Sequence, residues 1–147
     1  MNEELKTVFK FNAFVFNKNL EDITQDESLM TPAEGGSCIN WILGHILLTR
    51  DYIHELLGME KICSKEFGKT YEKGSGKINS GQAEDIKELL AKLKTSQERL
   101  MKVLDEKDLR LEQKLLDEIP ALSFHEAYHA GQTGILRRII GKEGKIK

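Results

Sequence analysis

Apolar positions recur along this chain at helical spacing, and four segments carry the pattern. In residues 4–18, Leu5, Val8, Phe9, Asn12 and Phe16 share one face, while Phe11, Phe14 and Val15 spread apolar surface over much of the rest. A helix that is apolar on more than one side belongs at the centre of a fold or at a subunit contact. Residues 37–57 form the second segment, with Ser37 as the expected N-cap and Gly58 as the stop. Residues 82–104 form the third. Its single stripe is Ile86, Leu89, Leu90, Leu93, Leu100, Val103 and Leu104, with Lys and Glu outside. Residues 121–140 form the fourth, entered through Pro120 and ended by Gly141.

Two gaps, 19–36 and 58–81, are long for connections in a compact domain. The first holds Pro32 and the pair Gly35–Gly36; the second is rich in Gly, Lys and Ser. No alternating stretch is long enough for a sheet. The pattern therefore predicts an all-α protein, a four-helix bundle with one or two long crossover connections. With 147 residues, it is expected to fold as a single domain spanning 1–147.

Charge narrows the functional classes. The formal net charge is −2 with no long basic run, so neither nucleic acid nor an anionic membrane surface is an expected partner. No apolar run is long enough to span a bilayer, and the first residues do not read as a signal peptide. Cys38 and Cys63 make no disulfide framework, so a reduced, cytoplasmic setting is expected.

Histidines carry the candidate chemistry. His125 and His129 are spaced i, i+4 and project from one face of the last helix. Leu122, Gln132, Leu136, Ile139 and Ile140 share that face, which predicts that it is buried. His45 shares its face with Cys38, Trp41, Ile42, Thr49, Tyr52, Ile53 and Leu56, again read as the core side. Three inward imidazoles from two helices can bind one metal ion and leave a coordination position open, the pattern of catalytic sites. The competing reading is three core histidines, each hydrogen-bonded to a neighbour. His54, about half a turn round from His45, is expected on the surface. Cys38 lies about 10 Å along the helix from His45, too far to share a metal easily, and Cys63 falls in a loop; neither is assigned a role.

"HEAYH", residues 125–129, also spells the H-E-x-x-H signature of zinc proteases. The rest of that reading is missing. The Gly and His of the extended motif are replaced by Gln132 and Ile135, and Glu143 in the tail is the only acid downstream. A small zinc protease is therefore not expected. Glu126 stays a candidate general base, against the plainer reading of a rim carboxylate beside Arg137.

Taken together, "NWILGHILLTRDYI" (40–53) and "HEAYHAGQTGILRRIIG" (125–141) resemble the DinB-like superfamily of small bacterial proteins. That family pairs a W-x-x-x-H motif on its second helix with H-x-x-x-H-x-G-Q on its last. Trp41 and His45 match the first motif; His125, His129, Gly131 and Gln132 match the second. The resemblance spans nearly the whole chain. It implies an up-up-down-down bundle, a metal held by His45, His125 and His129, and frequent homodimers. Characterised relatives include thiol S-transferases that use mycothiol, bacillithiol or glutathione.

On this reading the expected cofactor is a divalent transition metal, Zn or Ni foremost, with bacillithiol or another low-molecular-weight thiol as co-substrate. The thiol would bind as thiolate and attack a small electrophile. Metal-dependent hydrolysis is the alternative enzyme reading, and a metal-binding dimer of stress response is the non-catalytic one. Gln132 could orient a histidine or contact a ligand. Trp41 and Tyr52 are expected as pocket wall or core. Arg50, Arg137 and Arg138 could meet an acidic thiol, although solvated surface is the plainer expectation.

Overall fold

The computed structural model describes residues 2–146. Among them there are six α-helices, one short 3-10 turn and no strand. Four helices are long: α1 (Glu3–Asn19), α3 (Ile39–Leu56), α5 (Ile86–Glu106) and α6 (Gln113–Ile139). Two are short: α2 (Gln25–Ser28) and α4 (Lys65–Tyr71) lie inside the stretches expected as loops. Each short helix starts on a side-chain cap. Thr24 and Glu27 form a reciprocal capping box at α2, and the Ser64 hydroxyl accepts from the Phe67 amide at α4.

The long helices pack in a ring, α1 against α5 and α6, and α3 against α5 and α6. Cross-helix contacts fix their directions. Asn2 donates to the carbonyls of Leu104 and Lys107, so α1 begins where α5 ends. Asn12 reaches Ser123 and Asn19 reaches Thr133, so α1 and α6 run the same way. Arg50 meets Glu126 and Tyr52 meets Glu118, so α3 and α6 run oppositely. The order is therefore up-down-down-up, which corrects the up-up-down-down order implied by the resemblance. The physical reason is where the connections lie. Residues 20–38 turn the chain back at one end, and residues 57–85 alone return along the length of α3, roughly 27 Å for its 18 residues.

Two apolar clusters fill the ring. One gathers Phe16, Ile39, Ile42, Leu43, Ile46, Leu47, Leu89 and Ala130 with Tyr71 of α4. The other, at the opposite end, gathers Phe9, Ile53, Leu100, Leu104, Leu115 and Ile119. Between them lies a layer of buried polar side chains, Asn12, Arg50, His54, Ser96 and Glu126.

Element ends differ from the sequence reading at two points. Cys38, not Ser37, caps α3, its sulfur accepting from the Trp41 amide at 3.5 Å. Pro120 does not start the last helix; α6 begins at Gln113 and runs through it. Proline inside a helix costs about 3 kcal/mol. Burying Leu115 and Ile119 completely returns roughly 1.5–3 kcal/mol each, enough to carry the helix past it. Gly58 and Gly141 do end α3 and α6, both in left-handed backbone at φ 78° and 88°. No helix among the described residues is long and apolar enough to cross a membrane.

Candidate metal centre

His45, His125 and His129 come together, although α3 and α6 reach them from opposite directions. Their candidate ligand nitrogens all lie within 4.8 Å of one another. Ring centroids are 5.3 Å apart for His45 with either partner and 4.5 Å for His125 with His129. The i, i+4 spacing places the last two one turn apart, and their Nε2 atoms are separated by 3.2 Å.

Hydrogen bonds on the far side of two rings decide which nitrogen is presented. His45 Nδ1 lies 3.1 Å from the main-chain carbonyl of Tyr71, and His129 Nδ1 lies 2.7 Å from Oε1 of Gln132. Each acceptor requires an Nδ1–H, so each ring turns the lone pair of Nε2 to the centre of the cluster. His125 Nδ1 is buried without a partner. Burial holds all three imidazoles below the usual histidine range, and His129 is lowered to about 4. They are therefore neutral near pH 7, the state that ligates a metal.

The donor set fits an ion. Nitrogens around a tetrahedral Zn²⁺ sit about 3.4 Å apart, given Zn–N bonds of about 2.0–2.1 Å. His125 and His129 already stand at that spacing. The candidate nitrogen of His45, supplied by the other helix, lies within 4.8 Å of both.

Around the cluster, Trp41 stacks on His45 at 4.6 Å with planes 10° apart, and its indole N–H donates to the Ser75 hydroxyl. Gln132 completes the other side: its amide donates to the Tyr128 hydroxyl at 3.2 Å, while Tyr128 packs edge-on to His129. The remaining expected residues lie elsewhere. Tyr52 is largely exposed and spends its hydroxyl on the Glu118 carboxylate, about two turns from His125 along α6. Glu143 sits in the tail, where its carbonyl accepts from Arg137.

Several expectations are corrected. Glu126 is not a rim carboxylate beside Arg137. It is fully buried, and both its oxygens accept from Arg50, itself 1% exposed. Arg50 and Arg137 are not solvated: Arg137 is buried and donates to the carbonyls of Asn19, Glu21 and Glu143. Arg138 is exposed. His54 is not on the surface; it is 0% exposed, with Nε2 3.2 Å from the Ser96 hydroxyl and Nδ1 3.5 Å from Asp51. The wheel placed the core side of α6 a little under a quarter of a turn off. The buried stripe of α6 is Leu115, Ile119, Ser123, Glu126, His129, Ala130, Thr133, Leu136 and Arg137, so His129 and Leu136 are buried as expected, while His125 and Gln132 stand half-buried at its edge and Ile139 is half exposed. Likewise, His45, Trp41, Thr49 and Tyr52 flank the α3 stripe rather than fill it. The half-buried His45 and His125 leave the cluster reachable from outside, with His129 buried behind them.

Neither cysteine joins the cluster. Cys38 is buried as a cap, and the Cys63 thiol is pushed up to about 12 by burial and by Asp51. Asp51 is occupied with the Ile62 and Cys63 amides, each at 2.7 Å. Periodicity did not reveal Tyr71, Ser75 or Tyr128 as neighbours of the site. The first two lie in a stretch without helical pattern, and Tyr128 reads as plain helix surface.

No family model matches this chain, and neither a curated protein nor a solved structure does. What fold and site define together is an all-helical protein with a three-histidine group that could hold a metal ion.

Proposed function

We propose that this protein is a metal-dependent enzyme of the DinB-like type, a four-helix bundle with an open tri-histidine centre that activates a low-molecular-weight thiol. The observation that carries the reading is the convergence of three neutral imidazoles, two of them pinned from behind by a carbonyl and an amide. Tightly packed core histidines would spend their nitrogens on neighbours. Here, Nε2 of His125 and Nε2 of His129 lie 3.2 Å apart, and candidate ligand nitrogens of all three rings lie within 4.8 Å of one another. A divalent ion such as Zn or Ni held there supplies Lewis acidity that favours thiolate over thiol at neutral pH.

The chain's own residues would position the reactants. Trp41 offers an aromatic wall beside His45, and the Tyr128 hydroxyl and Gln132 amide offer polar contacts on the His129 side. The thiol sulfur then bonds to an electrophilic carbon as a halide leaves, and the thiol proton passes to solvent. The exposed side chains of Phe11, Phe14 and Phe124 support a homodimer.

The test is steady-state turnover of metal-loaded protein with bacillithiol and a haloaromatic electrophile. Turnover that needs both metal and thiol supports S-transfer. Its absence, with metal bound, rejects S-transfer for that thiol and favours hydrolysis.

A further inference from the structure

Gly44 immediately precedes the first metal-ligand candidate, His45. It sits in the interior of α3, where glycine is normally a poor choice. The reason is contact. A Cβ at position 44 would lie 2.1–2.4 Å from three ring atoms of Tyr71, so the Tyr71 ring lies directly on the α3 backbone. That ring is 1% exposed and fixed at its far end as well. The Tyr71 hydroxyl donates to Asn40 Oδ1 and accepts from the Glu84 amide, each at 2.8 Å, while Asn40 also donates to the Glu84 carbonyl at 2.9 Å. Phe67 packs against the ring at 4.5 Å. The main-chain carbonyl of this anchored residue is the one that meets His45 Nδ1.

From this geometry we infer that Tyr71 is a positioning residue of the metal centre. Its side chain, seated on Gly44 and bolted to Asn40 and Glu84, holds its carbonyl where it fixes the Nδ1–H tautomer and the ring plane of His45. The inference rests on the metal-centre reading above and adds the residues that tune it. His45 is the one candidate ligand that α3 supplies, so the orientation of its ring bears directly on whether the site closes. Partners that orient a liganding histidine in this way typically change metal affinity 10–100-fold when lost.

The test compares wild type, Tyr71→Phe, Gly44→Ala and Leu115→Ala. Leu115 belongs to the opposite apolar cluster and is the control for lost stability without lost positioning. Zinc affinity is measured by chelator competition, at a temperature where every variant is folded. The expected result is about tenfold weaker binding for Tyr71→Phe and up to about a hundredfold for Gly44→Ala, with Leu115→Ala unchanged despite a lower thermal midpoint. A long-range ¹H–¹⁵N spectrum of the metal-free protein should show His45 protonated at Nδ1 in wild type and as a tautomer mixture in Tyr71→Phe. Should Gly44→Ala fail to fold, Tyr71→Phe decides alone. Wild-type affinity in Tyr71→Phe, or an equal loss in Leu115→Ala, overturns the positioning role and leaves the metal centre standing. A wild type that binds no zinc overturns both.

Discussion

Removing the Glu126 carboxylate separates a structural role from the protease-like one that its place in HEAYH suggests. Arg50 and Glu126 are 1% and 0% exposed and form a two-point ion pair across α3 and α6. In Glu126→Ala, the guanidinium stays in the core with one hydrogen bond to Gln97 and the Phe9 ring 4.8 Å away. An uncompensated buried charge of this kind costs about 3–5 kcal/mol. For 147 residues, unfolding entropy is about 0.3 kcal/mol/K, so the thermal midpoint should drop by roughly 10–16 °C. Replacing both partners with apolar residues, Arg50→Met with Glu126→Leu, should recover most of the loss, because the desolvation penalty of the pair disappears with it. Urea unfolding followed by circular dichroism measures both. Metal content of the folded Glu126→Ala protein should equal that of wild type, since Glu126 spends both oxygens on Arg50. A single variant within about 1 kcal/mol of wild type, or a double variant as unstable as the two singles summed, would refute the argument.

Other consequences follow from the histidines. His129 is held neutral down to about 4, against 6.5 for a free imidazole, and burial lowers His45 and His125 in the same direction. Below about 6.5, the unfolded chain binds protons that the fold refuses. The histidine contribution to the stability of the metal-free protein is therefore fully present above that pH and is lost as pH falls, for His129 down to about 4. Urea midpoints at a series of pH values check this; equal midpoints on both sides of pH 6 would contradict it. Gln132→Leu removes the acceptor behind His129 and should weaken zinc binding about 10–100-fold with little change in stability, as read by chelator competition; unchanged affinity would show that the amide does not orient the ring.

The long helices and the histidine cluster were legible because both rest on the 3.6-residue period. Half-buried His45 and His125 at the edges of their stripes, and His129 within the buried face of α6, meet where those stripes close on each other. The short helices were missed for want of length, although Thr24-x-x-Glu27 spells a capping box. Direction was not legible, because periodicity says which face is buried and not which end of a helix meets a connection. The buried charges were misread for a related reason. Arg50, His54, Glu126 and Arg137 look like surface residues one at a time, and only the fold supplies Glu126 for Arg50, Ser96 for His54 and three carbonyls for Arg137. Pro120 misled because its local cost is plain in the sequence, while the burial of Leu115 and Ile119 that offsets it is a tertiary effect.

The most direct test is elemental analysis of untagged protein, wild type beside His125→Ala/His129→Ala. About one transition-metal ion per chain is expected in wild type and none above background in the variant. Wild-type protein that stays metal-free after incubation with Zn and Ni would contradict it, and would leave the three imidazoles as neighbours without a shared ligand.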